Sequence, residues 1–273
     1  MLNRRRAGGC LSDQVTRFKA GKMKLEIHSS KQAAGASAAR AAAEEMRRLD
    51  RLDESLGVIF ATGASQFETL EALISMPGLP WDKVQGFHMD EYVGIDENHP
   101  ASFRRYLRER LTERVAMRAF YEMDGNAAEM DRFAREYIGR LEVANPKLCL
   151  LGIGENGHLA FNDPCEANFD DPKAIKVVSL DEACRRQQVA EGWFAKLDEV
   201  PKQALTLTIP TLFRIPKLIV SVPGPRKASA IRRTVEEPIS TSCPSTLLRT
   251  HEDATIYLDP DSASEIQNLV SLL

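Results

Sequence analysis

Leu148-Cys149-Leu150-Leu151-Gly152-Ile153-Gly154-Glu155-Asn156-Gly157-His158-Leu159-Ala160-Phe161-Asn162-Asp163-Pro164 runs a short apolar segment straight into a glycine-rich turn. An uncharged run of strand length with a turn behind it predicts a strand covered on both faces, as in a parallel sheet. The turn has the spacing G-x-G-x-x-G, which in a dinucleotide-binding unit opens a helix under a pyrophosphate. Here Pro164 follows the third glycine by seven residues, which cuts that helix short. The glycines are expected instead to let the backbone approach a small ligand. His158 is then a titratable group at the edge of a cleft, with Asp163 available to orient it. A structural histidine hydrogen-bonded within its turn is the plainer alternative.

Working outward, similar apolar runs at 56–61, 84–87, 205–209, 218–222 and 255–258 predict further buried strands. A strand pattern also starts at Met23. Helical stretches are expected over 30–49, with Ser29 or Ser30 as cap, and over 65–76, 102–111, 127–143, 180–197, 226–235 and 261–272. Strands alternating with helices predict a three-layer α/β/α fold, a mainly parallel, Rossmann-like sheet with helices on both faces. Residues 1–23 are expected to form a disordered tail and residues 24–273 a single domain. The start Arg4-Arg5-Arg6 has no apolar run behind it, so a secretory signal is not expected.

In such a fold, ligands bind where loops leave the carboxyl ends of the strands. Thr62-Gly63-Ala64-Ser65 follows one predicted strand and opens a helix. That arrangement suits a phosphate, although an ordinary strand-to-helix turn reads the same way. Phe87-His88-Met89-Asp90-Glu91-Tyr92-Val93-Gly94 puts two carboxylates at another strand end, where one could serve as a general base. A solvated acidic turn is the alternative. Val222-Pro223-Gly224-Pro225-Arg226-Lys227 sets two cations at a helix start. They oppose the helix dipole there, and an anionic ligand would account for them.

Composition narrows the field. The 273 residues carry a formal net charge of −3, which argues against nucleic acid or an anionic membrane as main partner. The five cysteines are scattered and odd in number, and the five histidines show no metal-ligand spacing. Neither a disulfide framework nor a metal site is expected, and a reducing cytoplasm is the expected location.

Taken in order, these loops resemble the glucosamine-6-phosphate deaminase/isomerase family, whose fold includes the 6-phosphogluconolactonases. Matching stretches are Thr62 to Ser65, Met89 to Gly94, His99-Pro100-Ala101-Ser102, Gly152 to Pro164, Val200 to Thr206 and Gly224 to Lys227. The resemblance implies conversion of glucosamine 6-phosphate and water to fructose 6-phosphate and ammonia, with no metal or organic cofactor. It implies that Thr62, Gly63, Ala64, Ser65 and Lys227 hold the phosphate, with Glu91 and Gly157 also at the substrate. His158 would open the sugar ring, supported by Asp163 and Asn156, and Asp90 would carry the proton between C2 and C1. It also allows a homo-oligomer.

Two positions depart from the family. Asn156 and Asp163 stand where well-studied members have aspartate and glutamate, so charge support for His158 rests on Asp163. A second phosphate-binding arginine has no clear counterpart, with Arg185 and Arg186 as the candidates. The alternatives are a 6-phosphogluconolactonase-like hydrolase and a non-catalytic sugar-phosphate-binding protein. Asp90-Glu91-Tyr92 and Phe161-Asn162-Asp163-Pro164 differ from the lactonase patterns at both places and favour the deaminase.

Overall fold

The computed structural model describes residues 15–52, 54 and 56–267. In chain order the elements are β1 (Thr16–Ala20), β2 (Met23–Ile27), α1 (Lys31–Arg51), β3 (Gly57–Phe60), α2 (Phe67–Ile74), β4 (Gln85–His88), β5 (Asp90–Tyr92), α3 (Phe103–Leu107) and β6 (Ala119–Tyr121). There follow α4 (Met130–Ala144), β7 (Leu148–Leu151), β8 (Ile175–Ser179), α5 (Glu182–Ala190), β9 (Gln203–Leu207), α6 (Ile209–Phe213), β10 (Lys217–Val222), α7 (Ala228–Glu236) and β11 (Ala254–Leu258).

The main sheet has the order β1-β2-β11-β10-β7-β3-β4-β6. Every pairing in it is parallel except that of β1 with β2. The central strands are buried along their whole length because both faces are covered. Alternate residues divide between the two sides: Val58, Phe60, Leu148 and Leu150 pack with α1 and α2, while Ile59, Cys149 and Leu151 pack with α4 and α7. This is the period-2 consequence of a pleated strand. On α1 the residues Ala34, Ala38, Ala42 and Met46 are all buried. The small residues of its first turns bring the helix close to α2, where a Cβ at Gly35 would fall 2.4 Å from the Glu68 Cβ. Ser30 caps α1 by accepting from the Ala33 N–H at 3.2 Å.

Four expectations need correction. Residues 16–20, placed in the tail, form β1 and pair in register with β2; the expectation for residues 1–14 lies outside the described residues. The run 205–209 belongs to a different sheet, as β9 in a three-stranded antiparallel array of order β5-β9-β8. The helix expected over 180–197 ends at Ala190, where the Gly192 turn (φ +84°) follows. Residues 261–265 form turns rather than a helix, and the end of that stretch lies outside the described residues.

The order of the main sheet decides where a ligand can sit. Within this sheet the next strand after β3 is β4 on one side, and the next after β7 is β10 on the other. The loops after β3 and β7 therefore diverge, opening a crevice between them at the carboxyl edge. The small antiparallel sheet lies beside this crevice, because the chain leaves β4 at His88 and enters β5 at Asp90 with only Met89 between. The Leu207 N–H donates to the Met89 carbonyl at 2.9 Å and ties the two sheets together at that point.

Candidate active site

A cleft of about 580 Å³, counted with its solvent-open mouth, occupies the crevice. It is lined by Thr62, Gly63, Ala64 and Ser65 from the β3 loop, Asp90 from β5, His158 from the β7 loop, and Lys227 from the turn before α7.

The β3 loop reaches the cleft through Gly63, whose φ of +89° favours glycine. One helical turn, Ala64–Gln66, then leads into α2, and no side chain caps its amino end. Its orphan N–H groups and the positive end of the dipole are thus left for an anion. Lys227 lies in the matching turn before α7. That turn is fixed by the Gly224 N–H, which donates to both carboxylate oxygens of Asp259 at 3.1 Å. Burial lowers the Lys227 pKa, partly countered by Glu191 and Glu155.

Asp90 and Glu91 are neighbours with opposite fates, because successive strand residues point to opposite faces. Asp90 faces the cleft and is 5% exposed. Burial first, and then the Glu91 charge, push its carboxyl well above the usual aspartate value. Glu91 points away, so its expected contact with substrate is corrected: it does not line the cleft. It accepts from Ser102 Oγ at 2.9 Å, from the Phe103 N–H at 3.2 Å and from the Arg104 N–H at 2.9 Å. The carboxylate thus closes the amino end of α3 and also pairs with the Arg104 guanidinium at 3.4 Å. Glu91→Ala strands these buried donors. It is expected to destabilise the fold by about 3–5 kcal/mol, read from the urea midpoint; a loss under about 1 kcal/mol would show that α3 does not depend on it.

His158 sits at the tip of the β7 loop. Its Nδ1 is 2.8 Å from Asp163 Oδ1. The ring is turned enough that this contact is an ion-pair distance rather than a well-aligned hydrogen bond. Nε2 is left for the cleft. Asn156 Nδ2 donates to the same Asp163 oxygen at 3.0 Å, and Asn156 Oδ1 accepts from the His158 N–H at 3.1 Å. Burial would raise the Asp163 pKa, but His158, Asn156 and Cys184 outweigh it and hold the carboxyl below its ordinary value. Asp163 thus supplies the charge beside the imidazole, and the neutral Asn156 fixes geometry. Neither residue lines the cleft; both stand behind His158.

Gly152 and Gly154 line the cleft, and Gly154 also makes room for His158. The imidazole lies over Gly154, where a Cβ would fall 2.2 Å from the ring carbon Cε1. Gly157, expected at the substrate, instead turns the loop with φ +90° against Cys243 and does not line the cleft. His158, Asp163 and Cys184 present ligand atoms within 4.8 Å of one another. Burial, followed by the Asp163 charge, pushes the Cys184 thiol well above its usual value.

Neither candidate arginine reaches the cleft. The Arg185 guanidinium donates to the Leu197 and Val200 carbonyls at 2.6 and 3.3 Å, and Arg186 pairs with Glu182. Sequence reasoning missed Gln187, Gln188 and Glu191, which do line it. The signal was present: Cys184, Gln187, Gln188 and Glu191 recur at helical spacing, so polar groups occupy the inward face where an apolar stripe is expected.

The family model for glucosamine-6-phosphate isomerases and 6-phosphogluconolactonase matches residues 29–257. A glucosamine-6-phosphate deaminase of Exiguobacterium sibiricum is 33% identical over 221 residues, 78% of this chain and 82% of the relative. One from an Arthrobacter species is 32% identical over 251 residues, 90% of this chain and 93% of the relative. Among solved structures, a monomeric glucosamine-6-phosphate deaminase superposes with a TM-score of 0.80 at 27% identity, covering 88% of this chain and 99% of its own. A 6-phosphogluconolactonase from Trypanosoma cruzi shares the fold at a TM-score of 0.71 and 16% identity, covering 92% of this chain and 99% of its own. Among the described residues, no helix is long and apolar enough to cross a membrane.

Proposed function

This chain belongs to the glucosamine-6-phosphate isomerase/6-phosphogluconolactonase family, and on that premise we propose that it is an enzyme converting an amino-sugar phosphate, glucosamine 6-phosphate, and water to fructose 6-phosphate and ammonia. One observation carries this reading: Asp90, His158, the 62–65 turn and Lys227 border the same cleft.

The phosphate would lie on the free N–H groups of the Thr62-Gly63-Ala64-Ser65 turn, with Lys227 beside it. His158, poised by Asp163 and Asn156, would pass a proton to the ring oxygen and open the pyranose. Asp90 would then take the proton from C2 and return it at C1. Carbons 1 and 2 are adjacent, so one carboxylate on one face of the open chain reaches both. Loss of the C2 proton gives an enolamine, its return at C1 gives an imine at C2, and water hydrolyses the imine to the ketone and ammonia. No step in this sequence calls for a metal or an organic cofactor. The substrate is a small molecule, and the reaction needs neither nucleic acid nor a membrane.

Ammonia release from glucosamine 6-phosphate, measured beside hydrolysis of 6-phosphogluconolactone, tests the reading. Ammonia without lactone hydrolysis supports it, and the reverse outcome replaces it with the lactonase. Tight phosphosugar binding with no turnover would make the protein a sensor. Lys227→Ala should raise KM by about tenfold to a hundredfold with little change in kcat. An unchanged KM would remove Lys227 from the substrate's anionic end.

A further inference from the structure

Gln66 stands directly behind the 62–65 turn. Its side chain is fully buried and does not line the cleft. Its Nε2 donates to Ser65 Oγ at 3.1 Å and to the carbonyl of Leu151, the last residue of β7, at 3.2 Å. A carbonyl can only accept, so the amide nitrogen rather than the amide oxygen must face Leu151. The same nitrogen faces Ser65. That fixes the sense of the second bond: Gln66 gives the hydrogen and Ser65 Oγ receives it. Gly152 leaves room for this contact, since a Cβ there would fall 2.9 Å from Ser65 Oγ and 3.3 Å from Gln66 Nε2.

A serine hydroxyl has one hydrogen to give and two lone pairs. With a lone pair engaged by Gln66, the hydrogen of Ser65 is left for whatever occupies the cleft, which Ser65 borders beside Lys227. Among the described residues, Ser65 Oγ has no other hydrogen-bond partner. A hydroxyl that points its hydrogen forward attracts a phosphate oxygen, and one that points a lone pair forward repels it. The main chain of the turn is arranged alike: the Gly63 carbonyl accepts from the Gln66 N–H at 3.1 Å and from the Tyr106 hydroxyl at 3.0 Å. Gln66 Oε1, by contrast, is buried with no protein partner among the described residues. A buried acceptor left unpaired is costly, so this amide brings the fold little net stability. What it adds is the donor at Ser65.

We infer that Gln66 is a positioning residue which, by donating to Ser65 Oγ, turns the Ser65 hydroxyl proton toward the cleft and sets that hydroxyl as a donor to the phosphate of the substrate. The inference rests on the amino-sugar phosphate reading for its ligand. Its own content is the sense of one hydrogen bond, and the effect of Gln66 passes entirely through Ser65.

The test is a double-mutant cycle on Gln66→Met and Ser65→Ala, read by calorimetric titration with inorganic phosphate. Methionine keeps the length and burial of the side chain and removes the donor. S65A is expected to bind phosphate about tenfold more weakly than wild type, and Q66M about fivefold more weakly. The double variant decides: it should bind as S65A does, within about twofold. Losses that multiply would make Gln66 merely structural and overturn the proposal, as would a Q66M affinity within about 1.5-fold of wild type. With glucosamine 6-phosphate, KM of Q66M should rise in the same proportion while kcat stays within about twofold, and a loss confined to kcat would overturn it too. The reading beneath fails separately. A wild type that binds no phosphate defeats the phosphate turn itself, and one that binds phosphate but releases no ammonia defeats only the reaction. Should Q66M not fold, nuclear magnetic resonance of the wild type decides. The Gln66 side-chain amide resonances should move on addition of phosphate, because hydrogen bonds in a chain polarise one another. Resonances that stay in place at saturating phosphate overturn the proposal.

Discussion

Asp90→Asn is expected to lower ammonia release, and solvent-hydrogen exchange at C1 and C2, by about 10³- to 10⁴-fold, with phosphosugar affinity held within about threefold. The amide keeps the shape and the backbone of β5 but cannot accept the C2 proton. Binding is spared because the anion end of the cleft is built from the β3 loop and the turn before α7, well away in sequence from β5. Wild-type exchange in the variant would dismiss Asp90 as the base. The pH behaviour has a defined sign. Burial raises the Asp90 pKa above its ordinary value of 3.8, and the base works only when ionised. On acidification kcat/KM should therefore fall at a pH above that of a solvated aspartate, and that limb should be absent from the residual activity of the variant. Stability should move the opposite way. A carboxyl whose folded pKa is raised contributes stability below its unfolded pKa, and that contribution is lost as pH rises through the folded value. At neutral pH D90N should therefore melt higher than wild type, and the gap should close below about pH 4. An equal or lower melting temperature at neutral pH would contradict the buried charge.

His158→Gln is expected to cost about 10²- to 10³-fold in turnover, because glutamine can hydrogen-bond but cannot carry a proton to the ring oxygen. The loss should fall on ring opening. Exchange of solvent deuterium into fructose 6-phosphate in the presence of ammonia enters through the open chain, and it should fall far less. Asp163→Asn should reproduce part of the loss. Asp163 is held below the ordinary carboxylate range and supplies the negative charge 2.8 Å from His158 Nδ1, whereas Asn156 beside it is neutral. Two results would count against the role: H158Q turnover within about threefold of wild type, or equal losses in ring opening and exchange.

A buried histidine elsewhere shows why residue type alone does not identify such a group. His88 closes β4 and is fully buried. Burial, with Arg104 adding to it, pushes its pKa down to about 3. Its carbonyl accepts from the Tyr137 hydroxyl and its Nδ1 from the Met123 N–H. It stays neutral and holds the fold, a few residues from Asp90. His158 differs because its loop ends at the crevice between β3 and β7.

Much of the molecule was legible in the chain. The uncharged runs that became β3, β7, β10 and β11 carry their burial in their composition, and α1 carries its own in alanines at helical spacing. The loops at 62–65 and 152–164 could be singled out because glycine and capping chemistry act over a few residues. Pairing between distant segments could not be read in the same way. Three-residue β5 and β6 are too short to show a period, and β9 reads as one more buried strand, whereas its antiparallel partners are β5 and β8.

Local chemistry, encoded within a turn or two of backbone, marked the 62–65 turn and the His158 loop as candidates. Tertiary structure decided which neighbour of an adjacent pair does the work. Because β5 leaves the main sheet and alternates its side chains, Asp90 faces the cleft while Glu91 caps α3. It also set Glu191 against Lys227. A carboxylate and a lysine 36 residues apart meet only when the end of α5 and the turn before α7 converge, and nothing local in either segment specifies that meeting.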